Sequence, residues 1–299
     1  MNIMMIMDES GSMPRADKDE TEYGDFGLNV GLLIHPTQES SFREYLEQNC
    51  PIPLGKNTHI TDLANEDQES VRLFAFDALK RFDIQIVYEA IYVNGFHYAE
   101  KVLLEKYTTE EALPEPRVKV SKKHDNPSMQ SKLIEGTILK AISFVFEKVG
   151  EHHVIKILTD RVEDKLLQEV RSEIDHIYDL QNPQKNEFSG FDTKTKKIVK
   201  KTMTTTVEGL PDLPKNEYDI QILPKDHVLN LAADVVANSL YHHIRSMVED
   251  PSSELPTLNA RGSIAGYELE HLIIVSSEDY SDKYYKHSSI RAAPRQFEE

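Results

Sequence analysis

The chain has 299 residues, of which 39% are hydrophobic and 28% are charged, a composition typical of a soluble globular protein. No stretch approaches the roughly 18 consecutive apolar residues of a membrane span, so the sequence predicts no membrane partner. The net charge of −17 and the pI near 5.2 argue against a surface coated for nucleic-acid binding, but they do not exclude a local basic patch.

Cys50 is the single cysteine, so the chain cannot form an intramolecular disulfide. This suits a reducing compartment, and we expect a cytoplasmic protein. No neighbouring residue marks Cys50 as a nucleophile, and we expect its thiol to be inert.

The first element is the apolar run from Ile3 to Met7, which predicts a strand buried on both faces. Asp8 follows this strand directly, and residues 10–12 (Ser-Gly-Ser) predict a turn. Ligand sites of open α/β sheets lie at the carboxyl ends of strands, so Asp8 is the first candidate for chemistry. Residues 23–34 predict a second strand, antiparallel to the first.

The rest of the chain alternates between the hydrophobic periods of helices and strands. The patterns predict helices over residues 38–48, from Asn65 onwards, and over 129–149, 163–178 and 227–247. They predict strands over residues 56–61, 83–93, 153–158 and 218–223, and an irregular segment over 108–128. This order of elements predicts an α/β domain with a mixed sheet.

A polar segment at residues 183–216 has a threonine-rich, β-prone centre and predicts a protruding hairpin. Its lysines are predicted to contact nucleic-acid phosphates: Lys194, Lys196, Lys197, Lys200 and Lys201. The alternative for the same lysines is a solvated edge strand that resists aggregation. We predict one domain over residues 1–250 with this hairpin inserted, and a C-terminal extension over 251–299.

Three aspartates stand out from their apolar surroundings. Asp8 and Asp160 each follow a predicted buried strand, and Asp234 interrupts the apolar helix segment 229–237. Burying a lone carboxylate is costly unless a partner such as a metal ion balances it. If the three converge, they would bind one or two Mg²⁺ or Mn²⁺ ions. The alternatives are a turn residue, a helix cap and a solvent-facing acid, respectively.

These motifs resemble a bacterial family of the ribonuclease H-like superfamily. The resemblance covers about residues 1–245. It rests on Asp8-Glu9-Ser10-Gly11 at the end of the first strand, on Leu158-Thr159-Asp160-Arg161, and on the late helix segment 229–237 around Asp234. The chain departs from the family pattern by an extra alanine before Asp234 and by Asn230, where glutamine is usual.

The resemblance implies a ribonuclease H-like mixed sheet flanked by helices, and metal-dependent cleavage of phosphodiester bonds in DNA or RNA. It implies that Asp8, Asp160 and Asp234 bind Mg²⁺ or Mn²⁺ and act in catalysis. Glu9 would be a further catalytic group and His59 an accessory one. It also implies nucleic acid as the partner, a partner protein or RNA that brings an acidic enzyme to its substrate, and a role in defence or mobile-element conflict.

The first acids also resemble the Asp-x-Ser-x-Ser metal motif of von Willebrand factor A domains. This second resemblance implies a Mg²⁺-dependent protein-binding module rather than an enzyme. Its metal ligands would be Asp8, Ser10, Ser12, Thr137 and Asp160. The chain departs from that family because Thr137 lies inside a predicted helix. A non-catalytic scaffold is the third interpretation.

Overall fold

The computed structural model describes residues 2–13, 24–53, 59–99, 118–120, 128–149, 154–159, 164–179, 184–192, 194–205, 218–222, 228–248 and 255–275. The strands are β1 (Asn2–Gly11), β2 (Phe26–Ile34), β3 (Gln85–Tyr92), β4 (Val118–Val120), β5 (Val154–Thr159), β6 (Gln184–Asp192), β7 (Lys197–Thr205) and β8 (Tyr218–Ile222). The helices are α1 (Glu39–Asn49), α2 (Asn65–Arg81), α3 (Met129–Val149), α4 (Asp164–Asp179) and α5 (Val228–Val248).

Five of these strands form one mixed sheet in the order β3-β2-β1-β5-β8. The second strand, β2, runs antiparallel to β1 and β3, whereas β1, β5 and β8 run parallel to one another. Helices pack on both faces of this sheet. The predicted α/β fold class, a mixed sheet flanked by helices with an inserted hairpin, is confirmed.

The central strand β1 is buried on both faces, as its apolar run predicts. Because side chains alternate along a strand, Met4 and Ile6 pack in the core formed with α1, α2 and α5. Met5 and Met7 pack on the other face, in the core formed with α3 and α4. Each fully buried side chain of this size contributes about 1.5–3 kcal/mol, so β1 anchors both cores.

The end of β1 differs from the predicted turn. Among the described residues, its parallel pairing with β5 extends to Met7 and Thr159, and its antiparallel pairing with β2 continues to Gly11. The prediction of a turn at residues 10–12 is therefore wrong for Ser10 and Gly11, because β2 supplies backbone partners to both. Within the described residues, β1 residues 8–11 have no strand partner on the β5 side, and we call this position the notch.

Three local predictions also need correction. Residues 60–62 form a 3-10 helix instead of a strand, while 54–58 lie outside the described residues. Residues 93–99 are helical, which the sequence pattern did not indicate. Within the segment predicted to be irregular, Val118–Val120 forms β4, which pairs with β6. Pairing between distant segments is invisible to a local pattern, which explains this last error.

The inserted hairpin consists of β6 and β7, which pair from Gln184–Thr205 to Asp192–Lys197. Together with β4 they form a separate three-stranded sheet. The buried Asp192 carboxylate closes the turn by accepting hydrogen bonds from the backbone N–H groups of Lys194 (2.8 Å) and Thr195 (3.2 Å). Lys196 has a φ of 56°, the left-handed conformation that completes this tight connection.

Residues 255–275 belong to the core on the α5 side of the sheet. Leu258, Leu269 and Leu272 are at most 1% exposed. The Asn259 side chain hydrogen-bonds both the N–H (2.8 Å) and the C=O (2.8 Å) of Ala90 in β3, in the manner of an added strand residue. The described part of the predicted C-terminal extension therefore shares its core with the sheet. The division into a domain and an extension stays a prediction.

We predict that truncation after Asp250 prevents folding. It would expose the surface now covered by seven buried apolar side chains, Leu255, Leu258, Ile264, Tyr267, Leu269, Leu272 and Ile273. At about 1.5 kcal/mol each, their loss removes about 10 kcal/mol, comparable to the whole stability of a domain. Thermal unfolding followed by circular dichroism should show no cooperative transition. A control that ends after Val275 retains these contacts and should unfold cooperatively.

Candidate functional site

A cavity of about 220 Å³ lies at the notch. It is where the parallel strands β1 and β5 present their carboxyl ends, the general position of ligand sites in open α/β sheets. Its lining comes from both layers of helices and from three neighbouring strands: Asp8, Glu9, Asn29, His59, Ile134, Thr159 and Asp234. The structure thus brings together Asp8 and Asp234, which lie at opposite ends of the sequence.

Close packing of α5 on β1 places these two acids side by side. Gly11 has a φ of +91°, and a Cβ there would stand 2.6 Å from both the Phe26 carbonyl oxygen and the Tyr241 ring. The seven helix residues from Asp234 to Tyr241 rise about 10.5 Å, and the three strand residues from Asp8 to Gly11 rise about 10 Å. The contact of Tyr241 on Gly11 therefore aligns Asp234 with Asp8.

The Asp234 carboxylate is largely buried, with its side chain 16% exposed. Its Oδ2 accepts a hydrogen bond from the Ile60 backbone N–H at 2.7 Å, and the His59 Nδ1 lies 3.7 Å from the same oxygen. Burial raises the pKa of Asp234, and the Ile60 N–H, His59 and a hydrogen bond with Asp8 act in the opposite direction. The 3-10 helix at residues 60–62 thus orients Asp234 toward the cavity.

Asp8 and Asp234 form a carboxyl pair. A hydrogen bond between two carboxyl groups needs one shared proton, because two carboxylates have no donor between them. With both groups ionised, their repulsion inside a half-buried cleft has to be balanced by a cation. The pair is therefore suited either to hold a proton or to bind a positive ion.

Glu9 follows Asp8 in β1, so strand alternation turns its side chain to the α3 face. There the Gln130 Nε2 donates to both carboxylate oxygens of Glu9, at 2.8 and 2.7 Å. In the neighbouring strands Glu9 pairs with Asn29, and Asn29 pairs with Glu89. Glu9 thus begins a row of polar residues that crosses three strands from the cavity inward.

Asn29 is a cavity residue that the sequence analysis missed. It is 2% exposed, and its Oδ1 has no hydrogen-bond partner among the described residues. A buried amide oxygen without a partner carries a penalty of about 1–3 kcal/mol, which a ligand in the cavity would remove. The signal was available in the sequence, since Asn29 is the only strongly polar residue of β2, within Phe-Gly-Leu-Asn-Val-Gly-Leu-Leu-Ile.

Glu89 lies deeper in the same row and is fully partnered. The Lys140 Nζ lies 2.8 Å from its Oε2, and the Asn259 Nδ2 donates to its Oε1 at 3.0 Å. Gly136 makes room for this carboxylate, because a Cβ there would stand 2.8 Å from Oε2. This buried cluster joins α3, β3 and residues 255–275.

The third predicted acid, Asp160, lies outside the described residues. Its neighbour Thr159 ends β5 and lines the cavity. No group of three or more His, Cys, Asp or Glu in the described part of the chain is arranged to hold a metal ion. The described residues therefore supply one carboxyl pair, and the predicted ligand set of three stays a prediction.

The ligands implied by the adhesion-type motif are placed differently. Thr137 is buried inside α3, where its hydroxyl donates to the Leu133 carbonyl at 2.9 Å. Ser10 pairs with Leu28 in the sheet, and the Ser12 N–H donates to the Phe26 carbonyl at 3.1 Å. None of these three residues lines the cavity, so the described residues do not assemble that ligand set around Asp8.

The predicted nucleic-acid contacts all lie on the hairpin, away from the carboxyl pair in sequence. Lys194, Lys196, Lys197 and Lys200 are exposed at the turn and along β7. Lys201 is a residue of β7 that pairs with Phe188, and its side chain lies outside the described set. Their role in binding stays a prediction.

Comparison with known proteins gives little further identification. No protein-family model matches the chain, and no curated protein matches it. Among solved structures, Bst-RNase HIII in complex with Mn²⁺ is similar with a TM-score of 0.37 and 11% identity, covering 97% of this chain and 70% of that one. A point mutant of Bst-RNase HIII is similar with a TM-score of 0.39 and 10% identity, and the match covers 98% of this chain and 70% of that one. Because these TM-scores are low, the fold assignment rests on the sheet itself.

None of the helices in the described ranges combines the length and the apolar composition of a membrane-spanning segment.

We predict that Asp234→Asn stabilises the metal-free protein near neutral pH. Asn keeps an oxygen acceptor for the Ile60 N–H but removes the charge. The native pKa of Asp234 lies above its ordinary value of 3.8, so the native state binds more protons than the unfolded state above about pH 4. Wild-type stability therefore falls as pH rises through this range. Urea unfolding in the presence of a chelator should give Asp234→Asn a higher free energy of unfolding than wild type at pH 7, and this difference should shrink toward pH 4.

The control for this experiment is Asp175→Asn, which removes an exposed acid of α4 and should leave stability within about 0.5 kcal/mol of wild type. An Asp234→Asn protein that is less stable than wild type at pH 7 would contradict the unfavourable burial of this carboxylate.

Proposed function

We propose that this protein is a metal-dependent nuclease that cleaves phosphodiester bonds of DNA or RNA. Asp8, Asp160 and Asp234 are the proposed metal ligands and catalytic residues, and Glu9 is the proposed fourth catalytic group. The lysines of the β6–β7 turn and of β7 are the proposed nucleic-acid contacts. The proposal extends the sequence resemblance to this site.

The observation that carries the proposal is the carboxyl pair of Asp8 and Asp234. These residues come from a central strand and from the last helix, and they meet in a cavity at the carboxyl ends of β1 and β5. Both backbones are packed into the hydrophobic interior: α5 and one face of β1 lie in one core, and the other face of β1 lies in the second. A pair of acids that costs stability in the folded protein is typical of a functional site.

The donor set at the cavity fits a hard divalent cation. Its carboxylate oxygens and the unpartnered amide oxygen of Asn29 are the ligands that Mg²⁺ and Mn²⁺ prefer. The single cysteine, Cys50, is not among the lining residues, so the set does not fit a thiolate zinc site. Thr159 lines the cavity, and we propose that Asp160, the next residue in the sequence, completes the ligand set.

The chain's own residues account for the positioning of the reaction. Bound at this site, Mg²⁺ or Mn²⁺ supplies Lewis acidity to the phosphodiester. The Ile60 N–H holds the Asp234 carboxylate in one orientation, and Gln130 does the same for Glu9. His59 lines the cavity beside Asp234, and its proposed role is that of an accessory group that exchanges a proton with the leaving oxygen.

The net charge of the chain bears on how the proposed enzyme reaches its substrate. A chain with a net charge of −17 repels nucleic acid at long range. We therefore propose that a partner protein or RNA helps to bring the substrate to the site. The proposed cytoplasmic location and the role in defence or mobile-element conflict are extensions of the same resemblance.

We predict that the full chain with Mn²⁺ cleaves labelled DNA or RNA and that Asp8→Asn and Asp234→Asn each abolish cleavage. Loss of an outer-shell partner of a metal typically costs 10–100-fold, so loss of a proposed ligand should cost about 100-fold or more. The assay is gel analysis of single-stranded and duplex DNA and RNA, with and without chelator.

The matched control for the cleavage assay is Asp175→Asn, which removes one exposed acid outside the cavity and should cleave at the wild-type rate. Calorimetric titration with Mn²⁺ supplies a second readout, in which both site variants should bind more weakly. Cleavage that persists in Asp234→Asn, or in excess chelator, would sink the proposal.

We further predict that Lys196→Ala combined with Lys197→Ala weakens nucleic-acid binding to a similar degree for every sequence. Each lost phosphate contact lowers the slope of log affinity against log salt by about 0.7 for single strands and 0.9 for duplexes. Binding measured from 50 to 200 mM salt in chelator checks this. Lys165→Ala, which removes an exposed lysine of α4, is the control and should keep the wild-type slope.

A further inference from the structure

The hairpin carries two exposed apolar side chains beside its lysines. Phe191 is 44% exposed and Ile198 is 75% exposed, and with Leu73 of α2 they are the large hydrophobic residues that stand out in solvent within the described ranges. Phe191 and Ile198 are direct partners in the β6–β7 ladder. Residues directly opposite each other lie on one face of a hairpin, so the two form a single apolar patch.

The opposite face of the hairpin has a different character. It carries the next ladder pair, Asp192 and Lys197, and there Asp192 is buried under the turn. Alternation returns Lys200 to the face of Ile198, and Lys200 is exposed. The apolar patch therefore lies between Lys200 on one side and the lysines of the turn, Lys194 and Lys196, on the other.

The charge of this element is opposite to that of the rest of the chain. Residues 184–205 contain six lysines and two acids, a net charge of +4, which leaves −21 for the remainder of the chain. A solvated edge strand needs lysines, but it does not need an exposed phenylalanine beside them. The combination is that of a surface that binds an anion with flat apolar groups.

We infer that the Phe191–Ile198 face of the hairpin binds single-stranded nucleic acid, with a base stacked on Phe191 and the flanking phosphates paired with Lys200 and the turn lysines. An aromatic side chain on a protruding strand can stack only on an unpaired base, because the bases of a duplex are covered by their neighbours. Lysines alone would bind a duplex at least as well, since its charge density is higher.

This inference rests on the proposed function in taking nucleic acid as the ligand, and it adds that the strand must be unpaired. Base stacking on an aromatic residue typically contributes about a five- to 150-fold gain in affinity. We expect the protein to distinguish single strands from duplexes but not one base sequence from another, because every base presents a flat face.

The test is fluorescence anisotropy with the full chain in chelator and 50 mM salt, so that binding is measured without cleavage. The probes are a 12-residue oligothymidine, a 12-residue oligouridine and a 12-base-pair duplex. The wild-type protein should bind the single strands about tenfold more tightly than the duplex. Phe191→Ala should lose about tenfold for single strands and little for the duplex, whereas Phe191→Tyr should keep wild-type affinity.

Leu73→Ala is the matched control, because it removes the other exposed apolar side chain without touching the hairpin, and it should bind like wild type. Circular dichroism melting of each variant confirms folding. Equal binding by Phe191→Ala and wild type, a preference for the duplex, or no binding of any probe overturns the inference. So does tighter binding to anionic lipid vesicles, in the same assay, than to oligothymidine.

These outcomes are separable from those of the cleavage assay. A protein that binds oligothymidine through Phe191 but cuts nothing with Mn²⁺ retains this inference and loses the nuclease proposal. If the protein cuts a duplex and a single strand equally and Phe191→Ala binds like wild type, the nuclease proposal is retained and this inference is lost.

Discussion

The packing of α5 against β1 is the contact on which the rest of the site depends. It is possible because Gly11 has no side chain where the ring of Tyr241 crosses the strand. The same contact sets the position of Asp234 along β1, two helical turns before Tyr241, and so decides that its carboxyl meets that of Asp8. A Cβ at residue 11 would stand 2.6 Å from both the Phe26 carbonyl oxygen and the Tyr241 ring, so this close approach requires glycine.

The candidate site lies beside β1 residues 8–11. There β2 accompanies β1 to Gly11, whereas the described part of β5 reaches Thr159, so among the described strands there is a gap on the β5 side. Side chains from both faces of the sheet reach this gap, Asp8 from the α5 face and Glu9 with Asn29 from the α3 face. Polar groups from both faces thus surround a cavity in which a ligand can contact them, and the Asn29 Oδ1 has no hydrogen-bond partner among the described residues.

The polar row beneath the cavity shows how the fold accommodates buried charge. Glu89 is neutralised by Lys140 and hydrogen-bonded by Asn259, so this inner carboxylate needs no ligand. Asn259 reaches it because residues 255–275 pack along β3, and that segment therefore contributes to the support of the site. In the outer part of the row, beside the cavity, the Asn29 side-chain oxygen has no hydrogen-bond partner among the described residues, and this difference separates the supporting cluster from the candidate site.

Sequence alone determined the elements whose signals are local. The apolar run of β1, the helical spacing of α3 and α5, and the β-prone lysine segment predicted elements that the structure contains, since burial on a face leaves a periodic pattern in the chain. Asp234 was also recognisable as a candidate site residue, because it is an isolated acid in an apolar helix segment. Tertiary structure alone decided that β1 runs on past Met7, that residues 60–62 orient Asp234, that Asn29 lines the cavity, and that residues 255–275 join the core. Each of these depends on partners 16 to more than 170 residues away, and contacts at that range leave no period in the sequence.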